Sequence, residues 1–265
     1  MELDEILTAI SGLFEEDEYP FDEIIDLLKS LPEDTWDDSY TAYSIMETII
    51  DNLGNDFDGL VSDLFPDTLW NNHPDAAKEV MRCILCSSHP YVYGVYPDEL
   101  WDKDIAYDAV CADWNNICNI PDELTADPEV VLRAIDTMED ALYDDSFNMY
   151  PVDRRGPKGC VESLLQAIHS DLRGNTDFIF KMLERDYCSR EYEQIYDWID
   201  QNLWADKEFV LRMIEQNDNA VLRMSEELLT DADIQNKMDE YIDLKWLKQY
   251  TNKNKLPKWL ADMEF

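Results

Sequence analysis

The sequence predicts an all-α protein of irregular helical repeats in a solenoid-like stack, in two halves, with at most a minor hairpin. Three observations predict it. Apolar residues recur at helical spacing, only seven glycines interrupt 265 residues, and a short proline-headed phrase returns along the chain.

The first element is a helix from Leu3, because Leu3, Ile6, Leu7, Ile10, Leu13 and Phe14 fall at i, i+3, i+4 and i+7 on one face. Phe21, Ile24, Ile25 and Leu28 repeat the spacing in a second helix. The outward faces carry Glu2, Asp4, Glu5, Asp22, Glu23 and Asp26, so they are nearly all carboxylate. The phrase then begins. Leu31-Pro32-Glu33-Asp34-Thr35-Trp36, Phe65-Pro66-Asp67-Thr68-Leu69-Trp70, Tyr96-Pro97-Asp98-Glu99-Leu100-Trp101 and Ile120-Pro121-Asp122-Glu123-Leu124-Thr125 place their prolines 34, 31 and 24 residues apart. Each is followed by an acidic or Asn cap and an amphipathic helix, most clearly in Asp127-Pro128-Glu129-Val130-Val131-Leu132-Arg133-Ala134-Ile135, where Asp caps and Pro opens the helix. Later copies start at Leu203-Trp204-Ala205-Asp206, at Leu172 with Asp177-Phe178-Ile179-Phe180, and at Leu229-Thr230-Asp231. The only hairpin candidate is Tyr91-Val92-Tyr93-Gly94-Val95-Tyr96.

An acidic cap followed by Glu-Val-Val-Leu-x-Ala-Ile resembles an uncharacterised family of tandem two-helix repeats found in bacterial, viral and protist proteins. The resemblance is good over residues 124–135 and 203–214 and partial over 172–183 and 229–238. It implies a helical stack and carries no activity; the charge of this chain departs from the family.

That charge is −39, from 60 acids against 21 bases, on a chain that is 45% hydrophobic and therefore a folded body rather than a disordered tail. Self-repulsion on this scale costs stability, so it calls for a partner. Residues 1–150 hold 37 acids and five bases, and residues 151–265 hold 23 and 16. The expected organisation is a highly acidic helical domain over 1–150 and a helical-repeat domain over 151–265. The joint falls at Tyr150-Pro151-Val152-Asp153-Arg154-Arg155-Gly156-Pro157-Lys158-Gly159, which reads equally well as a long loop within one solenoid. The second half ends in a basic segment, Lys245, Lys248, Lys253, Lys255 and Lys258, which could fold back on the acidic body or meet another surface.

The cysteines Cys83, Cys86, Cys111, Cys118, Cys160 and Cys188 could form three disulfides, but no leader precedes them and Met1-Glu2-Leu3-Asp4-Glu5 already reads as a helix. Reduced thiols in a cytoplasm, that of a host cell if the chain is phage-encoded, are the expectation, and no run is apolar enough to span a membrane. Cys83-x-x-Cys86-x-x-His89 invites zinc, with Cys111, Cys118 or His73 as fourth ligand. The same spacing is one helix face and no second knuckle appears, so no metal or cofactor is expected. Asp56, Asp58 and Gly59 imitate a calcium loop, but Gly54 then stands at its first ligand position and Phe65 where a bidentate Glu is needed.

Enzyme motifs are missing. There is no phosphate-cradling glycine loop with Lys, no His-Glu-x-x-His and no Gly-x-Ser-x-Gly, and the three histidines, His73, His89 and His169, stand near no nucleophile in sequence. His169 reads as structural, on a helix with Val161, Leu164, Leu165 and Ile168. Trp36, Trp70, Trp101 and Trp204 recur at one point of the repeat and read as wedges between repeats, whereas Tyr91, Tyr93 and Tyr96 are either packing or interface anchors.

The expected function is a non-enzymatic inhibitor. Carboxylates three or four residues apart on a helix stand about 5–6 Å apart, and parallel helices lay such rows side by side, imitating the phosphates that a basic surface is built to accept. Acidic phage anti-restriction and anti-CRISPR proteins are similar in charge and architecture. The partner is then a nuclease or defence effector with a basic nucleic-acid-binding surface, with no direct contact to nucleic acid or membrane; oligomeric state stays open. The candidate contacts are Glu15, Glu16, Asp17, Glu18, Glu33, Asp34, Asp37, Asp38, Asp140, Asp144 and Asp145, with Tyr91, Tyr93 and Tyr96. Two alternatives stay open: an immunity or antitoxin protein that blocks a basic nuclease toxin, and a scaffold whose repeats hold a partner helix.

Overall fold

One local device recurs through the chain: a residue held extended, a short turn, a capping side chain and then a helix. The computed structural model describes residues 2–16, 20–53, 64–85, 97–143, 156–185, 193–244, 248 and 257–262. Those residues are all-α, with no strand among them. The Tyr91–Tyr96 segment lies outside them. The chain divides into two compact units, Met1–Ala141 and Leu142–Phe265. The division falls before Tyr150, and helix formation resumes within the Pro/Gly stretch itself, at Gly156.

The first unit contains α1 (Leu3–Glu16), α2 (Phe21–Ser30), α3 (Ser39–Leu53), α4 (Asp67–Asn72), α5 (Pro74–Leu85), α6 (Lys103–Ala112), α7 (Asp122–Thr125) and α8 (Pro128–Tyr143). The second contains α9 (Gly156–Ala167), α10 (Thr176–Leu183), α11 (Glu193–Trp198), α12 (Lys207–Gln216), α13 (Ala232–Tyr241) and α14 (Lys258–Ala261). Pro157 is tolerated in α9 because it stands in the first turn, where its missing N–H has no partner to lose.

Within the first unit α1 packs on α3, α3 on α5, and α5 on α6; within the second, α12 packs on α13 and α9 on α11. Burial selects a narrow stripe of each apolar face. On α1 only Ile6 and Ile10 are fully covered, on α2 Ile24 and Leu28, and on α3 Ala42, Ile45, Met46, Ile49 and Leu53. Each such Ile or Leu contributes on the order of 1.5–3 kcal/mol when buried. Trp36 at 1% and Trp204 at 2% exposure are core wedges, while Trp70 and Trp101 are only half-buried. Phe65 links two repeats by edge contacts to Trp36 (5.7 Å) and Trp70 (6.1 Å), the T-shaped geometry favoured by aromatic quadrupoles.

The turns explain the proline phrase. Pro32, Pro66, Pro97 and Pro121 have φ between −54° and −66° and ψ between 132° and 148°, and each carbonyl accepts the N–H three residues on: Thr35, Leu69, Leu100 and Leu124. In the second unit His169, Asp200 and Ser225 occupy the same place, with φ from −55° to −61° and ψ from 123° to 142°; their carbonyls accept from Leu172, Leu203 and Leu228. No pyrrolidine ring holds them. Instead His169 Nδ1, Asp200 Oδ1 and Ser225 Oγ accept from the backbone N–H two residues on. This corrects the placement of His169, which lies beyond the end of α9 and caps the turn Ser170–Gly174.

After each turn comes the helix cap. Asp102 accepts from Ile105 N–H at 3.0 Å, Asp206 from Phe209 N–H at 2.8 Å, and Asp231 from Ile234 N–H at 3.3 Å. Asn175, rather than Asp177, caps α10 through Phe178 N–H at 3.1 Å. At the second repeat His73 stands where the phrase leads one to expect an acidic or Asn cap, and its Nδ1 lies 3.3 Å from Asp37 Oδ1. There α5 opens on Pro74, whose fixed φ needs less help.

Candidate functional site

In each turn of the first unit, the two residues after the proline point outward. Glu33 and Asp34, Asp67 and Thr68, Asp98 and Glu99, and Asp122 and Glu123 are all exposed. They stand at the N-terminal end of a turn, where carboxylates are favoured by unpaired N–H groups. Neighbouring turns are tied together. Asn72 Nδ2 donates to Glu33 Oε1 at 2.9 Å, and His73 Nδ1 lies 3.3 Å from Asp37 Oδ1. Further along, Lys78 Nζ meets Asp102 Oδ2 at 2.5 Å, and Lys103 Nζ meets Asp127 Oδ2 at 3.1 Å and also Glu129. These links join the turn before α3 to the start of α5, α5 to the cap of α6, and the start of α6 to the cap of α8.

The expected contacts distribute as follows. Glu33, Asp34, Asp37 and Asp38 come together on the turn Glu33–Asp37 and at its end, all exposed. Asp38 also caps α3, accepting from Tyr40 N–H at 3.3 Å and Thr41 Oγ1 at 2.8 Å. Glu15 is exposed near the end of α1 and Asp140 on α8, each apart from that turn in sequence and element. The Glu16 side chain, Asp17, Glu18, Tyr91, Tyr93, Tyr96, Asp144 and Asp145 lie outside the described residues, as do Cys86, His89 and the Asp56/Asp58 loop. Cys83 is buried on α5, and among the described residues no cluster of three metal-ligating side chains occurs.

Asp67, Asp98, Glu99, Asp122 and Glu123 are surface residues that no periodicity marks, although the phrase that contains them is legible in the sequence. Tyr40, 67% exposed beside Asp38, is equally unmarked. Amphipathic periodicity signals what is buried, and a turn too short to have a period offers no such signal.

Electrostatics separate the working carboxylates from the rest. Burial pushes Asp102 upward, but the Lys78 ammonium and the Ile105 N–H outweigh it and hold the carboxyl below its ordinary value. Asp127 behaves alike: burial raises it, and Lys103 with the Glu129 and Val130 N–H groups brings it below. Asp113, which caps the turn Trp114–Asn119, is the opposite case. Burial dominates there and raises it despite two hydrogen bonds from Asn115. Lys103, bonded first to Glu129 and then to Asp127, is raised.

The signs give a pH test. A carboxyl depressed in the fold contributes stability above its unfolded value, here 3.8, and that stability disappears as pH falls through the depressed folded value. Asp102→Asn and Asp127→Asn should therefore lower the melting temperature at pH 7 and flatten its fall below about pH 4. Asp113→Asn should raise it at pH 7, because Asn keeps the turn cap and removes a charge that burial disfavours. Thermal melts of the three variants between pH 2 and 7 check both signs; a lower melting temperature for Asp113→Asn would contradict the second.

The charge balance makes a further demand. Met1–Ala141 holds 35 acids and five bases, a net of −30, and four of those bases are engaged: Lys78, Lys103 and Arg82 in ion pairs, and Arg133 Nε with Cys111 Sγ at 3.0 Å. Raising salt from 10 to 200 mM shortens the screening length to about 7 Å and should raise the melting temperature, because repulsion among unpaired acids outweighs a few exposed ion pairs. Calorimetry at both concentrations decides it, and an unchanged or lower transition at high salt would mean the acids are already compensated.

In the second unit three arginines also lie over aromatic rings. Arg212 sits 3.7 Å above the Phe180 ring, and Arg173 and Arg223 lie 5.7 and 5.5 Å from the Trp198 and Tyr196 rings. No helix among the described residues is long and apolar enough to cross a membrane. Comparisons with protein-family models, with curated proteins and with solved structures return no match for this chain.

Proposed function

We propose that the protein is a non-catalytic inhibitor that occupies the basic nucleic-acid-binding surface of a target protein, with the acidic turn edge of the first unit standing in for a phosphate backbone. The observation that carries this reading is positional. Four successive turns expose seven carboxylates and one threonine at one point of the repeat, while four of the unit's five bases are drawn into helix contacts. Packed helices lie about 8–10 Å apart, so seven charges over four turns make roughly one per 5 Å along the edge, against one per about 3.4 Å on a single nucleic-acid strand. Helix-dipole preference alone accounts for acids in first turns, at about 0.3–1 kcal/mol each. It does not account for withdrawing the bases.

The mechanism needs no reaction. Basic side chains of the target that release counterions to phosphates would release them equally to fixed carboxylates, and the rigid turns remove the ordering cost that a flexible acidic tail would incur. The test is competition. A target isolated on the immobilised protein and then purified should be displaced by duplex DNA or RNA, and its affinity should fall steeply between 50 and 200 mM salt. A target that nucleic acid does not displace, bound with little salt dependence through an apolar surface, would favour the scaffold; displacement of a single toxin nuclease only would favour an immunity protein.

A further inference from the structure

Residues 102–134 and 206–238 follow the same course at a constant offset of 104 positions, without insertion or deletion. Asp102 and Asp206 cap helices α6 and α12 through the N–H groups of Ile105 and Phe209. Both helices close on a residue in the same extended conformation, Asp113 (φ −152°, ψ 127°) and Asn217 (φ −156°, ψ 126°). Each of these side chains accepts from the backbone two residues on, Asn115 N–H and Asn219 N–H, at 2.8 Å. Pro121 and Ser225 then hold the next turn, bonded to Leu124 and Leu228, and Asp127 and Asp231 stand before α8 and α13.

Side-chain contacts between the paired helices coincide as well. The lysine at the first position of each helix reaches forward to the next cap and to the acid two beyond it. Lys103 meets Asp127 and Glu129, and Lys207 meets Asp231 (2.9 Å) and Asp233 (2.6 Å). A second contact joins the residue nine past the first cap to the residue six past the second. In the second unit this is Glu215 with Lys237, an ion pair. In the first it is Cys111 with Arg133, whose Nε donates to Sγ at 3.0 Å.

We propose that these stretches are two copies of one module, each closed by a two-point latch. Its first point is the lysine and the next cap; its second is a cation facing an anion. Cys111 is then where the first copy has lost the carboxylate of the latch while keeping its cation. Six separate features coincide: two caps, two extended closing residues with their side-chain bonds, the turn residue, the lysine bridge, the second contact and the uninterrupted spacing. Helix periodicity alone imposes none of the pairings between residues 22, 24 and 26 apart. The latch is a conformational device, because it fixes how far one helix can slide along the next without burying further apolar surface. It stands independently of the inhibitor reading.

The test is Cys111→Glu. In a unit of net charge −30 an added carboxylate on a half-exposed position should ordinarily lower stability, as it should for Ala112→Glu next to it. If the copies are equivalent, the new carboxylate lands on Arg133 as Glu215 lands on Lys237. The melting temperature should then rise by about 2–4 °C at low salt. The gain should vanish in an Arg133→Met background and shrink at 0.3 M salt, while Ala112→Glu melts lower. A fall in Cys111→Glu equal to that of Ala112→Glu, a gain that survives Arg133→Met, or loss of cooperative melting would each overturn the proposal.

Discussion

Neutralising Glu33/Asp34, Asp98/Glu99 and Asp122/Glu123 together to Gln/Asn is expected to weaken target binding by at least about a thousandfold, with each pair giving on the order of tenfold. Carboxylates that meet desolvated bases are worth more than those at a rim, so the central pairs should dominate. These six side chains are exposed in the free protein, and their backbone turns are closed by carbonyl and N–H groups that the substitutions leave in place. The melting temperature should therefore hold or rise. Asp37 and Asp38 belong to the same surface but carry structural duties, one beside His73 and the other capping α3, so Asp38→Asn, which retains a capping oxygen, is the informative change there. Glu226/Glu227 in the second unit are the comparison, expected to matter less because that unit carries more bases. Binding of each variant by calorimetry at fixed salt measures the effect. Wild-type affinity in the triple-pair variant would remove the turn edge from consideration and leave the Tyr91/Tyr93/Tyr96 segment to be tested.

Trp204→Ala should unfold much of the second unit. The ring is 2% exposed and packs against Phe209 at 5.4 Å and Tyr196 at 6.2 Å, which in turn meet Phe180 and Arg223. Truncating a buried Trp costs about 3–5 kcal/mol, a large share of the roughly 5–15 kcal/mol that holds a domain together. The carbonyl of Trp204 also accepts Ser225 N–H at 2.8 Å, so a shifted backbone would loosen the next turn as well. A fall of at least about 10 °C in melting temperature is expected. Trp204→Phe should cost less than half as much, since it keeps a ring against Phe209 and removes an indole N–H that has no acceptor among the described residues. Trp70→Ala, at a half-buried copy of the same position, should fall between the two. Near-ultraviolet dichroism during thermal melting reads all three, and equal shifts for Trp204 and Trp70 would mean that burial does not rank these wedges.

The helices, the turn phrase and the location of the charge are all legible in the chain before it folds. Each is written within a few residues of itself: Ile6 and Ile10 by spacing, Pro97 by its ring, Asp102 and Asp206 by the N–H groups they cap. Tertiary structure alone decided which wedge is core, since Trp36 and Trp70 follow nearly the same phrase and differ only in what packs on them. It also decided that His169, Asp200 and Ser225 do the work of proline. Several side chains can hold that backbone conformation by capping their own turn, so no single residue type announces it. The pairing of Lys103 with Asp127 and Glu129, and of Arg133 with Cys111, was likewise beyond local reading. Those partners stand more than 20 residues apart, and only the packing of one helix on the next brings a particular cation to a particular acceptor among so many carboxylates.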